Sequence, residues 1–310
     1  MIRIYIFIIV FLFTSCSNNK MLKEIKKLPD YPSASGIEYF NNQFYIIGDD
    51  ATYLLITDNN FNSVDSISLY TFPEKRVPKA IKADLEAITL LNDNNQQKIL
   101  LLGSGSLSPY RNTGWLIDPV TRYKDSIQLD IFYQRLKENG LTDINIEGIC
   151  SIPGTVILSN RGNKNYPKNF LIFTKEEFWK YQPTTPITLI PIGNTTESSS
   201  FNGISGMTYA RETDQLIITV STEDTRNNID DGTIGKSYLW IVNDISTKRN
   251  QKAIIPDKII DLEKTDNRFK GYKIESVCII SATKDILHLV LAADNDNGSS
   301  TLFRLHIPKN

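Results

Sequence analysis

The sequence predicts an all-β chain folded as a β-propeller of five four-stranded blades, and three observations carry the prediction. A motif of the form apolar, Glu or Ser, small, apolar recurs five times. Each copy leads into near-continuous apolar runs of strand length. Polar turns rich in Asn, Asp, Ser and Gly separate the runs. The copies are Ala34-Ser35-Gly36-Ile37, Leu85-Glu86-Ala87-Ile88, Ile146-Glu147-Gly148-Ile149, Ile204-Ser205-Gly206-Met207 and Ile274-Glu275-Ser276-Val277. Their second positions lie 51, 61, 58 and 70 residues apart, which suits one blade per copy.

Each motif opens an innermost strand. Second strands follow at 43–50 (QFYIIGDD), 98–106 (KILLLGSGS), 155–163 (TVILSNRGN), 215–224 (QLIITVSTED) and 287–296 (LHLVLAADND). Runs such as ILLL lack polar alternation, as expected of strands covered on both faces by neighbouring blades. Third strands read at 52–58, 114–119, 169–175, 237–243 and 301–307, and fainter fourth strands at 64–70, 124–130, 187–192 and 258–262. The fifth copy ends without a fourth strand, and residues 22–28 (LKEIKKL) are placed to supply it and close the ring. Six blades, with one concealed in 225–272, is the alternative. Two helices are expected on this scaffold. Asp130 is placed to cap IFYQRLKEN, with Gly140 as terminator, and Thr174 with Glu177 forms a capping box before KEEFWKY. Trp115 and Trp240 fall on third strands and read as core, whereas Trp179 fits either core or a ligand platform.

The 310 residues are 41% hydrophobic with a formal charge of −1, which excludes a disordered chain and argues against a nucleic-acid partner. Two histidines, His288 and His306, leave little room for imidazole catalysis or zinc. Nothing suggests haem, flavin or nucleotide. Residues 1–15 hold Arg3 and then an apolar run too short to span a bilayer, in the layout of a secretory signal. The run ends Phe13-Thr14-Ser15-Cys16, and small residues before a cysteine resemble a bacterial lipobox. The expected organisation is a lipoprotein signal at 1–15, a tether at 16–21 lipidated on Cys16, and one propeller domain at 22–310. The expected address is the bacterial cell envelope, on its periplasmic or surface face, held to the membrane by the N-terminal lipid. Cleavage with Cys16 left as a free thiol is the alternative. Cys150 and Cys278 occupy one repeat position in copies three and five, which are not neighbours, so they are expected to be buried free thiols.

In a propeller, the loop entering the innermost strand and the loop leaving the second strand share one face, around the central channel. Glu86, Glu147 and Glu275 begin innermost strands, with Ser35 and Ser205 at the other two positions. Second strands empty into Asp49-Asp50, Ser104-Gly105-Ser106, Asn160-Arg161, Glu223-Asp224 and Asp294-Asn295-Asp296. This ordering crowds carboxylates at one mouth, where like charges raise one another's pKa unless a cation neutralises them. Oxygen donors without His or Cys suit Ca2+, so Glu86, Glu147, Glu275, Asp49, Asp294 and Asp296 are the metal candidates. The competing use of such a Glu is to accept backbone N–H groups from the next blade. Asp294-x-Asp296-x-Gly298 resembles the start of a calcium loop, but Leu305 stands where its closing Glu belongs. The longest loop, 221–237 (STEDTRNNIDDGTIGKS), brings Glu223, Asp224 and Arg226, which join Arg161 and Lys82 as ligand candidates, with Lys79 nearby. The helix at 130–140 leads into the Glu147 strand and is placed to roof the same mouth.

The Asp84-Leu85-Glu86-Ala87-Ile88 and Asn145-Ile146-Glu147-Gly148-Ile149 starts, with the Ala293-Asp294-Asn295-Asp296-Asn297-Gly298 end, resemble the phytase-like and SdiA-regulated propeller proteins. The STEDT…DDGTIGKSYL stretch is similar to an uncharacterised group of envelope propeller lipoproteins. The likeness spans most of 30–307 and implies a cation held by Glu86, Glu147 and Glu275. Phosphatase activity transfers poorly, because phytase propellers surround phosphate with bases and this face reads as acidic with few. The sequence therefore implies a lipid-anchored propeller binding a small molecule or envelope protein at an acidic, calcium-holding channel face. A metal-dependent phosphoester hydrolase and a structural scaffold of an envelope assembly are the alternatives.

Overall fold

The computed structural model describes residues 21–93, 96–193, 201–223 and 234–309. β1 (Leu22–Leu28) belongs to the last blade. The first blade is β2 (Ala34–Phe40), β3 (Gln43–Gly48), β4 (Tyr53–Thr57) and β5 (Ser63–Ser68). The second is β6 (Leu85–Asp93), β7 (Gln96–Gly103), β8 (Thr113–Ile117) and β9 (Lys124–Gln128). The third is β10 (Ile146–Ile152), β11 (Thr155–Asn160), β12 (Asn169–Thr174) and β13 (Thr188–Ile192). The fourth is β14 (Asn202–Ala210), β15 (Gln215–Glu223), β16 (Ile234–Val242) and β17 (Lys258–Asp261). The fifth is β18 (Lys273–Ala282), β19 (Ile286–Asp294) and β20 (Ser300–Pro308), completed by β1 on the outside of β20. Within each blade every adjacent pair is antiparallel, and the inner strands touch in the cycle β2–β6–β10–β14–β18–β2. Five blades form the ring, as expected; the stretch that the six-blade alternative invoked holds the outer strands of the fourth.

The apolar second strands are buried on both faces, as their composition requires. Ile99, Leu100, Leu101 and Leu102 of β7 are all fully inaccessible. Leu100 and Leu102 pack with the third blade, and Ile99 and Leu101 with the first. Burying a side chain of this size contributes roughly 1.5–3 kcal/mol. Each blade gap is therefore a hydrophobic layer fed by alternate residues of one strand. Trp115, Trp240 and Trp179 are all buried in these layers. Cys150 and Cys278 are buried, unbridged thiols.

The two expected helices differ in outcome. α1 (Asp130–Glu138) forms, and Gly140 follows it at φ +99°. Asp130 is its first residue rather than its cap, and the Asp130 carboxylate accepts from Asn112 Nδ2 at 2.8 Å. The segment after Thr174 is a series of turns, not a helix, and Glu177 lies at φ +58°. The successive residues Phe178 and Trp179 are both buried there, with Phe178 4.6 Å from Phe132 of α1. Burying two neighbours at once against a helix overrides the local capping signal. A short helix, α2 (Leu262–Thr265), follows β17.

Ring closure brings together residues from opposite ends of the chain. Ile25 pairs with Phe303 and Leu28 with Ser300, and the Ser300 hydroxyl donates to Tyr31 O while accepting from Ala34 N. Deleting residues 1–28 leaves β20 as an open edge. We expect the truncated chain to lose its monomer peak to aggregates in size-exclusion chromatography; a stable, cooperatively unfolding monomer would show closure to be dispensable.

Candidate functional site

The repeated motif has a specific backbone role. In all five inner strands the register slips by one residue at the motif's second position, between Ala34 and Gly36, Leu85 and Ala87, Ile146 and Gly148, Ile204 and Gly206, and Ile274 and Ser276. Ser35, Glu86, Glu147, Ser205 and Glu275 are thus the extra residues of five β-bulges, a device that re-aims a side chain. The following position must be small. A Cβ on Gly206 would stand 2.6 Å from the Glu275 carbonyl of the next blade.

The two bulge serines tie blades together. Ser205 Oγ donates to Ile274 O at 2.7 Å, and Ser35 Oγ donates to Leu85 O, in each case to the residue before the next blade's bulge. The bulge glutamates do not serve as such ties. That use falls to Glu38, whose Oε2 accepts from Leu90 N of the next blade at 3.1 Å. Glu86, Glu147 and Glu275 line a cavity of about 580 Å³ at the channel mouth, a volume typical of small-molecule sites.

Asp49, Asp294, Asp296, Lys79, Lys82 and Arg161 line the same cavity, so the described sequence candidates do converge. No residue of α1 lines it; the Tyr133 hydroxyl donates instead to Gly103 O at 2.6 Å, so α1 buttresses blades rather than roofing the mouth. Cys16, Asp224 and Arg226 lie outside the described residues, as does the side chain of Glu223. Sequence reasoning left out Asp84, Arg111, Asn145, Lys273 and Arg76, all of which line the cavity. A signal for three of them exists. Asp84, Asn145 and Lys273 each stand two residues before a bulge glutamate, in the same repeat position.

Both signs of charge meet in the cavity: nine acidic and six basic side chains line it among the described residues, more bases than the sequence suggested. Glu147 accepts from Asn145 Nδ2 at 2.5 Å and faces Arg161 at 3.7 Å. Gly203 makes room for Arg161, since a Cβ there would stand 2.4 Å from Arg161 Nε. Glu275 pairs with Lys273 at 2.8 Å, and Asp50 with Arg76 at 2.7 Å. Arg111, only 2% exposed, grips Asp84 Oδ2 at 2.7 Å, and Ser104 Oγ donates to the same oxygen. Lys82 bonds Asp49 Oδ2 and lies 2.7 Å from Asp84 Oδ1. Glu86 makes no hydrogen bond or ion pair with any described residue. Carboxylate oxygens of Asp49, Asp84 and Glu86 nonetheless lie within 4.8 Å of one another. Asp49 Oδ1 and Asp50 Oδ1 are buried with no hydrogen-bond partner among the described residues.

Titration follows this geometry. Burial, with Glu147, Asp84 and Asp49 nearby, pushes Glu86 well above the usual carboxylate range. Burial raises Glu147 to about 8, with Glu275 adding to the effect and Arg161 opposing it. Burial likewise raises Asp294 to about 7 and Asp49 to about 6, the latter in spite of Lys82. For Lys82 burial favours the neutral amine, but Asp49, Asp84 and Glu86 outweigh it and hold the ammonium charged.

Residues 30–307 match the model of DUF6929, a family of unknown function. The chain belongs to that family. No curated protein matches the sequence. Among solved structures, a Myxococcus xanthus glutaminyl cyclase superposes with a TM-score of 0.54 at 8% identity, covering 93% of this chain and 97% of that one. A putative exported protein from Bacteroides fragilis gives 0.42 at 11% identity, covering 96% and 98%. A virginiamycin B lyase from Staphylococcus aureus gives 0.41 at 11%, covering 91% and 98%. At 8% identity the likeness to the glutaminyl cyclase shows the fold alone. The narrower resemblance of this DUF6929 chain to phytase-like and SdiA-regulated propellers rests on its sequence motifs.

Asp49, Glu147 and Asp294 hold protons more tightly in the fold than in the unfolded chain, where carboxylates titrate near about pH 4. As pH rises from there to about 8 the unfolded chain ionises first, so these groups progressively destabilise the fold. In chelator-containing buffer we expect Glu147→Gln to gain melting temperature relative to the wild type as pH rises from 5 to 8. A constant difference across that range would contradict the assignment.

Proposed function

We propose that this DUF6929 protein is a lipid-anchored propeller of the bacterial envelope that binds a small polar ligand or a segment of a partner protein at the acidic mouth of its channel, with Ca2+ held among the channel carboxylates. The convergence of Asp49, Asp84 and the unpaired Glu86 in one cavity carries this reading. The donors are all oxygens, which suits a hard cation, and the orphaned Asp49 and Asp50 oxygens are further acceptors at the same wall. Aromatic side chains are absent from the described lining. The anchor rests on the lipobox-like Phe13-Thr14-Ser15-Cys16. No helix among the described residues is long and apolar enough to cross a membrane.

Calorimetry and thermal melting with CaCl2 test the ligand site. The expected outcome is a saturable heat and a raised melting temperature, both reduced at least about ten-fold in affinity by Glu86→Gln. The absence of heat and of any melting shift with either Ca2+ or Mg2+ would remove the cation from the proposal. Cys16→Ser is expected to move the protein from the membrane to the soluble fraction of its host, whereas unchanged membrane association would sink the anchor.

A second reading, hydrolysis of phosphoesters, draws on one observation. Glu86 and Glu147 are neighbouring carboxyls that burial pushes above the usual carboxylate range, Glu147 to about 8, within a cavity that also carries Arg161. It requires turnover of phosphoester substrates that disappears in folded Glu147→Gln, and a screen without turnover leaves the binding function.

A further inference from the structure

The trio of Asp49, Asp84 and Glu86 has the convergence of a divalent-cation site, yet a cation of the protein's own already stands in it. We propose that Lys82 is the selectivity-determining residue of the channel: its ammonium takes the place of a divalent cation between Asp49 and Asp84, holds Ca2+ affinity down while seated, and when removed leaves a tight Ca2+ site. This rests on the reading of the channel carboxylates as the ligand site.

Lys82 Nζ bonds Asp49 Oδ2 and lies 2.7 Å from Asp84 Oδ1, so it engages two of the three converging residues. It is 8% exposed, and its backbone is pinned by Lys82 N donating to Pro78 O at 3.0 Å. An ammonium offers three directed donors, whereas Ca2+ gathers six to eight oxygens at about 2.3–2.6 Å without fixed directions. The ammonium leaves oxygens unused: Asp49 Oδ1 is buried without a partner, Asp50 Oδ1 likewise on a residue 6% exposed, and Glu86 has no partner at all among the described residues. These are the acceptors a cation of higher coordination number would recruit. Asp84 stays in place when Lys82 leaves, because Arg111 and Ser104 hold its other oxygen. Ammonium and divalent ion cannot share the trio, since two cations a few ångströms apart in a buried site repel strongly.

The test is CaCl2 titration of the purified full-length protein by calorimetry, with wild type, Lys82→Met and Lys82→Arg compared. Lys82→Met is expected to bind one Ca2+ at least about ten-fold more tightly than wild type, whereas Lys82→Arg, which keeps a cation, titrates like wild type. Without Ca2+ the Met variant leaves Asp49 without its cation and Asp84 with Arg111 alone, and melts earlier; Ca2+ should return more melting temperature to it than to wild type. If Lys82→Met does not fold, Lys82→Gln, whose amide can still donate to Asp84, carries the comparison. Failure of both to fold even in CaCl2 overturns the proposal, because a cation able to replace the ammonium would rescue them. A silent wild type beside a binding Lys82→Met supports the role of Lys82 while removing resident calcium from the proposed function. A binding wild type with Lys82→Met no tighter does the reverse. No heat in any variant defeats both.

Discussion

One backbone irregularity, repeated five times, organises this protein. A β-bulge at the start of each inner strand releases one residue from strand pairing, and in four of the five blades that residue lines the channel mouth. The rest of the inner strand must then resume its alternation, so that Ile37, Ile88, Ile149, Met207 and Val277 enter the hydrophobic layers between blades. The bulge therefore separates two requirements that a regular strand would confound. Packing is carried by the apolar residues on either side, and chemistry by the residue that has no pairing partner. Where that residue is Ser it spans to the next blade, and where it is Glu it faces the cavity.

The channel mouth shows how a fold of near-neutral total charge tolerates so many buried carboxylates. Most have a cation assigned to them: Arg161 to Glu147, Lys273 to Glu275, Arg76 to Asp50, and Lys82 with Arg111 to Asp84. The pairing is uneven, however. Glu86 forms no ion pair with a described residue and, through burial and its acidic neighbours, favours its proton despite the field of Lys82. Buried pairs of this kind contribute little net stability, because desolvation offsets much of the attraction.

How much of this was legible in the sequence follows from the range of each interaction. Ile99 to Leu102 and Leu216 to Val220 announce doubly covered strands by composition alone, and the motif spacing counts the blades. The bulge glutamates were legible as repeat positions, although no local signal says that the position is a bulge. The counter-cations were partly hidden because their partners lie far along the chain: Arg161 meets Glu147 across a strand pair, and Arg111 reaches Asp84 across 27 residues. The turn after Thr174 was misread for a related reason. Its capping signal is local, whereas the burial of Phe178 and Trp179 against α1 is tertiary.

The pairing of β1 with β20 also governs the order in which the molecule can be made. Ile25 finds its partner in Phe303, so one outer layer of the ring requires the first and the last strands together. Four blades can assemble from segments close in sequence, each closing short loops. The fifth cannot be finished until nearly the whole chain is present, and its closure spans the largest sequence separation in the fold. Long-range pairing of this kind is slow, since loop entropy must be overcome before the contacts form. Until then the β20 edge and the apolar face of β1 stay open. The interval between the last residue made and the ring shut is the period in which this protein is most exposed to misassembly with its own copies.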